Sequence, residues 1–420
     1  MAYDKVIDST LWSGRMVDIA DAIRFKTSIA SQIDVDDMPA LIRGITTATE
    51  LDPLTFTAGE PNSSVTLVAV GSPNVAGLLY KTNIGGTESD WVTYTPNTAV
   101  TLTSTNDSVQ FKNTESTLSL SNTSYVHFEM TGKIYGSGDA QSMVNANSET
   151  RETTKGCFFH LFENCAALLT APSLTSTVMT QSCYDSMFMN CTNLTAAPAL
   201  PALALAVGCY ASMFSGCSAL RTAPALPATA LAMGCYQYMF KGCTALEAAP
   251  ELPATVMAQS CYNNMFASCK TLTTMPEISA NTGAVSCFAG MFMNCIGISK
   301  AFVPAITLAE NCFQYMFKGC TALSDITCMF TTWGTDNTEY TKGWVANVAA
   351  SGSFTKPSEL PEVYGSNNIP TGWSNASTDV LVDADILAYR NRAIVAEDNA
   401  TATVADLEEQ YNISKDIIGE

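Results

Sequence analysis

Cysteine recurs through the middle of this chain at residues 157, 183, 209, 235, 261, 287 and 312, in steps of 26 residues with a final step of 25. Each is followed eight residues later by a second, at 165, 191, 217, 243, 269, 295 and 320, and Cys328 lies eight beyond Cys320. A fixed period of this size means that the chain folds as a series of like units. One such unit cannot bury its own apolar face, whereas a unit stacked on its neighbours can.

The unit CYQYMFKGCTALEAAPELPATVMAQS, starting at Cys235, displays the pattern. Its fixed positions are Cys235, the aromatic Tyr236, Met239-Phe240, Cys243 and Leu246. Leu231, Cys235, Met239, Phe240 and Cys243 recur every three or four residues, which predicts one face of a short helix. Leu246 to Leu252 reads as a short extended piece, kept short by Pro250, which cannot donate to a ladder. Seven units paired at strand spacing give a rod or arc on the order of 30 Å long. The first unit carries Leu161 where others have Met. The sixth is one residue short and lacks the first of the two prolines, Pro304 matching Pro201, Pro227 and Pro253, so a local distortion is expected there.

Cysteines eight residues apart on a helix stand about 12 Å apart along its axis, too far to bridge each other. The favoured role is a small buried hydrophobe stacked on its counterpart in the next unit. Bridges between adjacent units and a zinc site are the alternatives, the latter short of ligands in a chain with two histidines.

The runs YMFKGCTAL at 238–246 and again at 315–323 resemble leucine-rich repeats of the BspA-like type, over residues 156–330. The stretch WVANVAASGSFTKPSELPEVYGSNNIPTGW, from Trp344 to Trp373, is similar to the segments that close such arrays. The resemblance implies a curved solenoid used for adhesion or protein binding, with no catalytic residues.

The flanks differ in character. Residues 1–50 predict a helical anchor, with Met16, Ile19, Ala20 and Ile23 on one face and Met38, Leu41, Ile42 and Ile45 on another. The pattern IADAIRFKT followed by DMPALIRGI resembles the N-terminal segment of bacteriophage tail-associated proteins. Across 51–145 the runs VTLVAV, LLYKT, WVTYT, AVTLT, VQFKN and YVHFEM alternate as strands do, and their spacing suggests an immunoglobulin-like sandwich. GKIYGSGDAQS is the expected junction with the repeats, which with their cap span 150–374. Residues 375–420 predict an acidic helical segment. The fold class expected for the whole is therefore an α+β repeat solenoid, leucine-rich-repeat-like, preceded by an all-β domain and flanked by short helices.

A net charge of −19 argues against nucleic acid and anionic membrane as partners. No apolar run reaches the roughly 18 residues a membrane helix needs. His127 sits in an alternating run and His160 in the first repeat. Neither stands in a serine or acid motif, and the cysteines beside His160 recur without a histidine, so an enzyme is not expected. The acids of the repeats fall at variable positions and read as solvated surface. No cofactor or metal site is expected.

The variable positions of the Cys-Tyr-x-x-Met-Phe-x-x-Cys core are a better candidate surface. Asp185, Ser186, Gln237, Tyr238, Asn263, Asn264, Gln314 and Tyr315 should align as an outward row suited to sugars or a protein surface, or be merely solvated. The expected function is a bacteriophage virion structural protein, a tail fibre, appendage or decoration, that displays the solenoid for attachment to a host surface glycan or protein. The N-terminal helices would dock onto other virion proteins, and a homo-oligomer, with a trimer the usual guess, is expected. The start of the chain does not read as a secretory signal, which points to assembly in the host cytoplasm. A bacterial cell-surface adhesin and a purely architectural virion component are the alternatives.

Overall fold

The computed structural model describes residues 51–115, 123–145, 153–333 and 340–378. The chain divides into two compact units, one of Met1–Leu51 with Asn147–Glu149 and the other of Asp52–Ala146 with Thr150–Glu420. The described residues other than Leu51 belong to the second. The helical anchor expected over 1–50 and the tail-protein pattern within it lie outside the described residues. So does the acidic segment expected from 375, save that its first residues belong to a strand, Ser374–Thr378.

The α+β expectation is corrected. The described residues are mostly β, in several sheets, and the only helix with both ends among them is the single turn α1, Ser142–Asn145.

Among the described residues nine strands precede the repeats. One sheet contains β1 (Leu54–Ala58), β3 (Leu78–Ile84), β4 (Thr87–Glu88), β5 (Val92–Thr93), β7 (Ser108–Asn113) and β9 (Ile134–Ser137), with β9-β1-β7-β3 its hydrogen-bonded order. A second contains β6 (Val100–Leu102), β2 (Ser63–Val70) and β8 (Tyr125–Thr131) in that order. All these pairings are antiparallel. In β1, β7 and most of β2 alternate residues are buried, as the period of two requires. Rings from both sheets meet edge to face, Phe56 lying 4.8 Å and Phe111 5.3 Å from Phe128. GKIYGSGDAQS carries β9, whose free edge pairs in parallel with β10 (Leu168–Thr170) of the first repeat. The two regions share one core, since Phe162 of the first repeat stacks on Phe128 at 5.4 Å.

The segment from Cys235 to Cys243 is not a helix but a ribbon of turns. Cys235, Gln237, Met239, Lys241 and Cys243 each donate their N–H to the carbonyl three residues back. The residues that alternate with them, Gly234, Tyr236, Tyr238, Phe240 and Gly242, donate instead to the next unit, at Gln259, Cys261, Asn263, Met265 and Ala267. In an α-helix every N–H is used within the segment. Here half of them bind one unit to the next, which satisfies the buried backbone and fixes the register together.

Every fourth residue of the ribbon turns a corner with positive φ: 60° at Gly234, 58° at Tyr238 and 75° at Gly242. A positive φ at the third position is the requirement of a type II turn. The same corners recur at Gly208, Ser212 and Gly216 and at Ser260, Asn264 and Ser268. A four-residue turn pair and a 3.6-residue helix bring almost the same side chains inward, which explains why apolar spacing alone predicts a helix.

Between units, like side chains stack. Phe188, Phe214, Phe240, Phe266 and Phe292 follow one another at 5.5 to 5.7 Å with their planes within 8° of parallel. Tyr184, Tyr210, Tyr236 and Tyr262 form a second column at 5.7 to 5.9 Å. These separations are those of offset stacking.

All fifteen cysteines are free and buried, so no bridge joins adjacent units. The second cysteine of every unit does more than fill space. Cys165, Cys191, Cys217, Cys243, Cys269, Cys295 and Cys320 each donate S–H to the phenylalanine carbonyl that precedes the neighbouring unit's own second cysteine, or to Phe128 at the start, at 2.9 to 3.1 Å. Thus Phe214 O accepts both from Cys217 N within its unit and from Cys243 Sγ in the next.

The extended pieces follow proline. In the second to fourth units contact is reduced to single bridges, Ala196 to Thr222 and Thr222 to Ala248, just before Pro198, Pro224 and Pro250. In the sixth and seventh units, where that proline is missing, full parallel strands form: β11 (Lys300–Val303) against β12 (Asp325–Cys328). The ladder continues through β13 (Ser353–Pro357) to β14 (Ser374–Thr378). Three tryptophans close this end, and each indole N–H finds a backbone carbonyl: Trp333 on Pro361, Trp344 on Asn368 and Trp373 on Ala349, at 2.8 to 2.9 Å.

Candidate functional site

The turn ribbon brings the eight candidate row residues into two adjacent columns. Ser186, Tyr238, Asn264 and Tyr315 occupy the same positive-φ corner of their units, and Asp185, Gln237, Asn263 and Gln314 precede them. Backbone bonds run along the row from Ser212 N to Gln237 O at 2.8 Å and from Tyr238 N to Asn263 O at 2.9 Å. The row is half-buried rather than fully outward, and Ser186 is buried.

Much of its polar capacity is used internally. Ser186 Oγ donates to Asp185 Oδ1 at 2.8 Å, Asn264 Nδ2 to Asn263 Oδ1 at 2.8 Å, and Gln237 Nε2 to the same oxygen at 3.4 Å. The Tyr238 and Tyr315 rings lie beneath the ammonium groups of Lys241 and Lys318 at 5.1 and 4.7 Å. Burial holds the Asp185 carboxyl above its ordinary range, against the lowering influence of the Ser186 hydroxyl and His160.

A second feature, at the start of the stack, escaped the sequence reading. The first unit places His160 at the same corner, with φ of 57°, and its N–H binds Asp185 O. Facing this corner is the outer side of β8, where Tyr125, His127 and Glu129 alternate with the inward Val126 and Phe128. Ser64 and Thr66 extend the surface from β2, whose register sets them opposite Thr131 and Glu129. The outward residues of β8 and β2, with Glu163 and Asn164 of the first repeat, line a cleft of about 510 Å³.

Both histidines of the chain therefore meet at one place. Tyr125 lies 5.9 Å from His127 and 5.5 Å from His160, ring centre to ring centre. His127 Nε2 is 3.7 Å from Glu129 Oε1, and His160 Nδ1 is 2.5 Å from Glu163 Oε2, off the line of a hydrogen bond. His127 Nδ1 is buried without a partner. The available signal was the pairing of each histidine with an acid two or three residues on, in a first repeat that departs from the others at residue 160.

No protein-family model matches the chain, and no curated protein or solved structure is significantly similar to it. Among the described residues no group of three or more His, Cys, Asp or Glu is arranged to hold a metal ion, and no helix is long and apolar enough to cross a membrane. The repeat cysteines make poor nucleophiles. Burial pushes the thiols of Cys217, Cys235, Cys261, Cys269 and Cys320 up to about 12 and that of Cys312 to about 11.

Proposed function

We propose that the protein is a display scaffold for attachment: a leucine-rich-repeat-like solenoid, headed by an immunoglobulin-like β-domain, carried on a bacteriophage particle and presented to the bacterial host surface. The observation that carries the scaffold reading is the register of the stack. Seven units bind to one another through backbone N–H groups, and the β-domain continues the same core at one end. That construction repeats one corner of the chain at fixed intervals on a stiff support, and a stiff periodic surface suits multivalent contact.

Placement on a virion rests on the resemblance of IADAIRFKT and DMPALIRGI to phage tail-associated proteins. In this reading residues 1–50 dock onto other virion proteins and the appendage is a homo-oligomer, a trimer by the habit of such fibres. Contact with the host falls to the corner row and to the cleft at its head.

The test is twofold. Peptides of this chain should appear in purified particles from the producing strain, and the purified chain should bind host cells and compete with particle adsorption. Peptides confined to the envelope of uninfected bacteria would replace the virion reading with that of a bacterial adhesin of the same repeat type. Particle incorporation without any competition would leave a purely architectural component.

A further inference from the structure

We infer that the cleft between β8 and the first repeat binds an uncharged sugar ring. The proposal deepens the attachment reading and rests on it only for the source of the sugar, a glycan of the host surface.

Four observations carry it. The cleft, about 510 Å³, falls within the roughly 300–1,000 Å³ range of small-ligand sites. Its polar lining mixes donors and acceptors on short side chains, the hydroxyls of Ser64, Thr66 and Thr131, the amide of Asn164 and the carboxylates of Glu129 and Glu163. Vicinal hydroxyls of a sugar, each donor and acceptor at once, match that mixture. The half-buried ring of Tyr125 supplies an aromatic surface for the apolar face of a pyranose. Finally, the partly exposed His127 lines the cleft, and its Nε2 stands 3.7 Å from Glu129 Oε1, beyond hydrogen-bond distance.

Charge narrows the class. Glu129 and Glu163 line the cleft and Asp185 stands behind His160, within a chain of net charge −19. A uronic acid, a sialic acid or a phosphate would meet those carboxylates at close range.

The chain contains two histidines, of which His127 lines the cleft, so in a histidine-labelled sample the His127 imidazole NMR signal reports on the cleft. The full chain is titrated with the methyl glycosides of glucose, galactose, mannose and N-acetylglucosamine, and with glucuronic acid as the anionic arm. At least one neutral glycoside should shift the His127 signal saturably, and glucuronic acid should not.

Glu129 is exposed, so Glu129→Gln should melt as the wild type does while weakening binding about tenfold. Tyr125→Leu should abolish binding; if it melts early, Glu129→Gln decides alone. A stationary His127 signal with all four glycosides, equal binding of glucuronic acid, or unchanged affinity in Glu129→Gln would overturn the proposal. Cell binding retained by a chain that takes up no sugar sinks the cleft and spares the attachment reading. Sugar uptake by a chain that binds no cells does the reverse.

Discussion

Titration toward alkaline pH sets the stack against its own thiols. All fifteen cysteines are buried in the fold, and each holds its proton above the ordinary value of 9.0, chiefly because burial penalises the thiolate. The unfolded chain gives those protons up first. It therefore binds fewer protons than the fold above about pH 9, and stability falls as pH rises. Below the unfolded value the effect vanishes, and it saturates only as pH passes the folded values.

One pH unit above the unfolded pKa, each thiol favours unfolding by about 1.4 kcal/mol. Fifteen such groups together approach roughly 20 kcal/mol, against a total stability of about 5–15 kcal/mol for a typical domain. The stack should lose its tertiary structure in a steep transition between about pH 9 and pH 10. Near-ultraviolet circular dichroism and thiolate absorbance, followed together, should change at one midpoint, and a maleimide added at neutral pH should label none of the cysteines until denaturant is present. Thiolate absorbance that climbs gradually from about pH 8.5 while the tertiary signal stays flat would refute the burial argument.

Two substitutions probe the contacts between units. Gly216 has φ of 78°, and a Cβ there would come 2.2 Å from Asn190 Oδ1, so Gly216→Ala should destabilise markedly in urea. Because Asn190 also has positive φ, at 60°, adding Asn190→Gly should relieve the clash component and leave the left-handed backbone cost of about 1–2 kcal/mol at residue 216; full recovery in the double variant would contradict the corner geometry. Cys243→Ala removes both the sulfur and the bond to Phe214 O, and a loss of about 1–3 kcal/mol is expected by chemical denaturation. Equal stability of Cys243→Ala and wild type would show that the thiol column adds nothing to the join between units.

Much of the interior was legible from spacing. Cys235, Met239, Phe240, Cys243 and Leu246 are all fully buried, and so are their counterparts in the next unit. The runs VTLVAV, LLYKT, VQFKN and YVHFEM fall on β2, β3, β7 and β8. The turn ribbon was not legible from apolar spacing, because a period of four and a period of 3.6 select the same side chains over nine residues. The discriminating signal lay at the corners, where Gly, Ser and Asn recur every fourth residue because positive φ is demanded there. Tyr238 and Tyr315 obscured it by occupying such corners themselves. The histidine cleft was hidden for a different reason: His127 and His160 are brought together by Phe128 N bonding to Leu161 O, a register between a strand and a turn that no local pattern encodes.

The claim that units stack one upon another at a single spacing is tested most directly by a distance between labels. Gln181, Val207, Met233, Gln259, Val285 and Glu310 are exposed and linked from unit to unit by the backbone bonds that reach their carbonyls. Spin labels introduced at residues 181 and 310 should lie five steps apart, about 24 Å at strand spacing, with a narrow distribution. Duplicating the 26-residue unit 235–260 between them should lengthen that distance by about 5 Å and leave the distribution narrow. A broad distribution, or an insertion that leaves the distance unchanged, would contradict the stack.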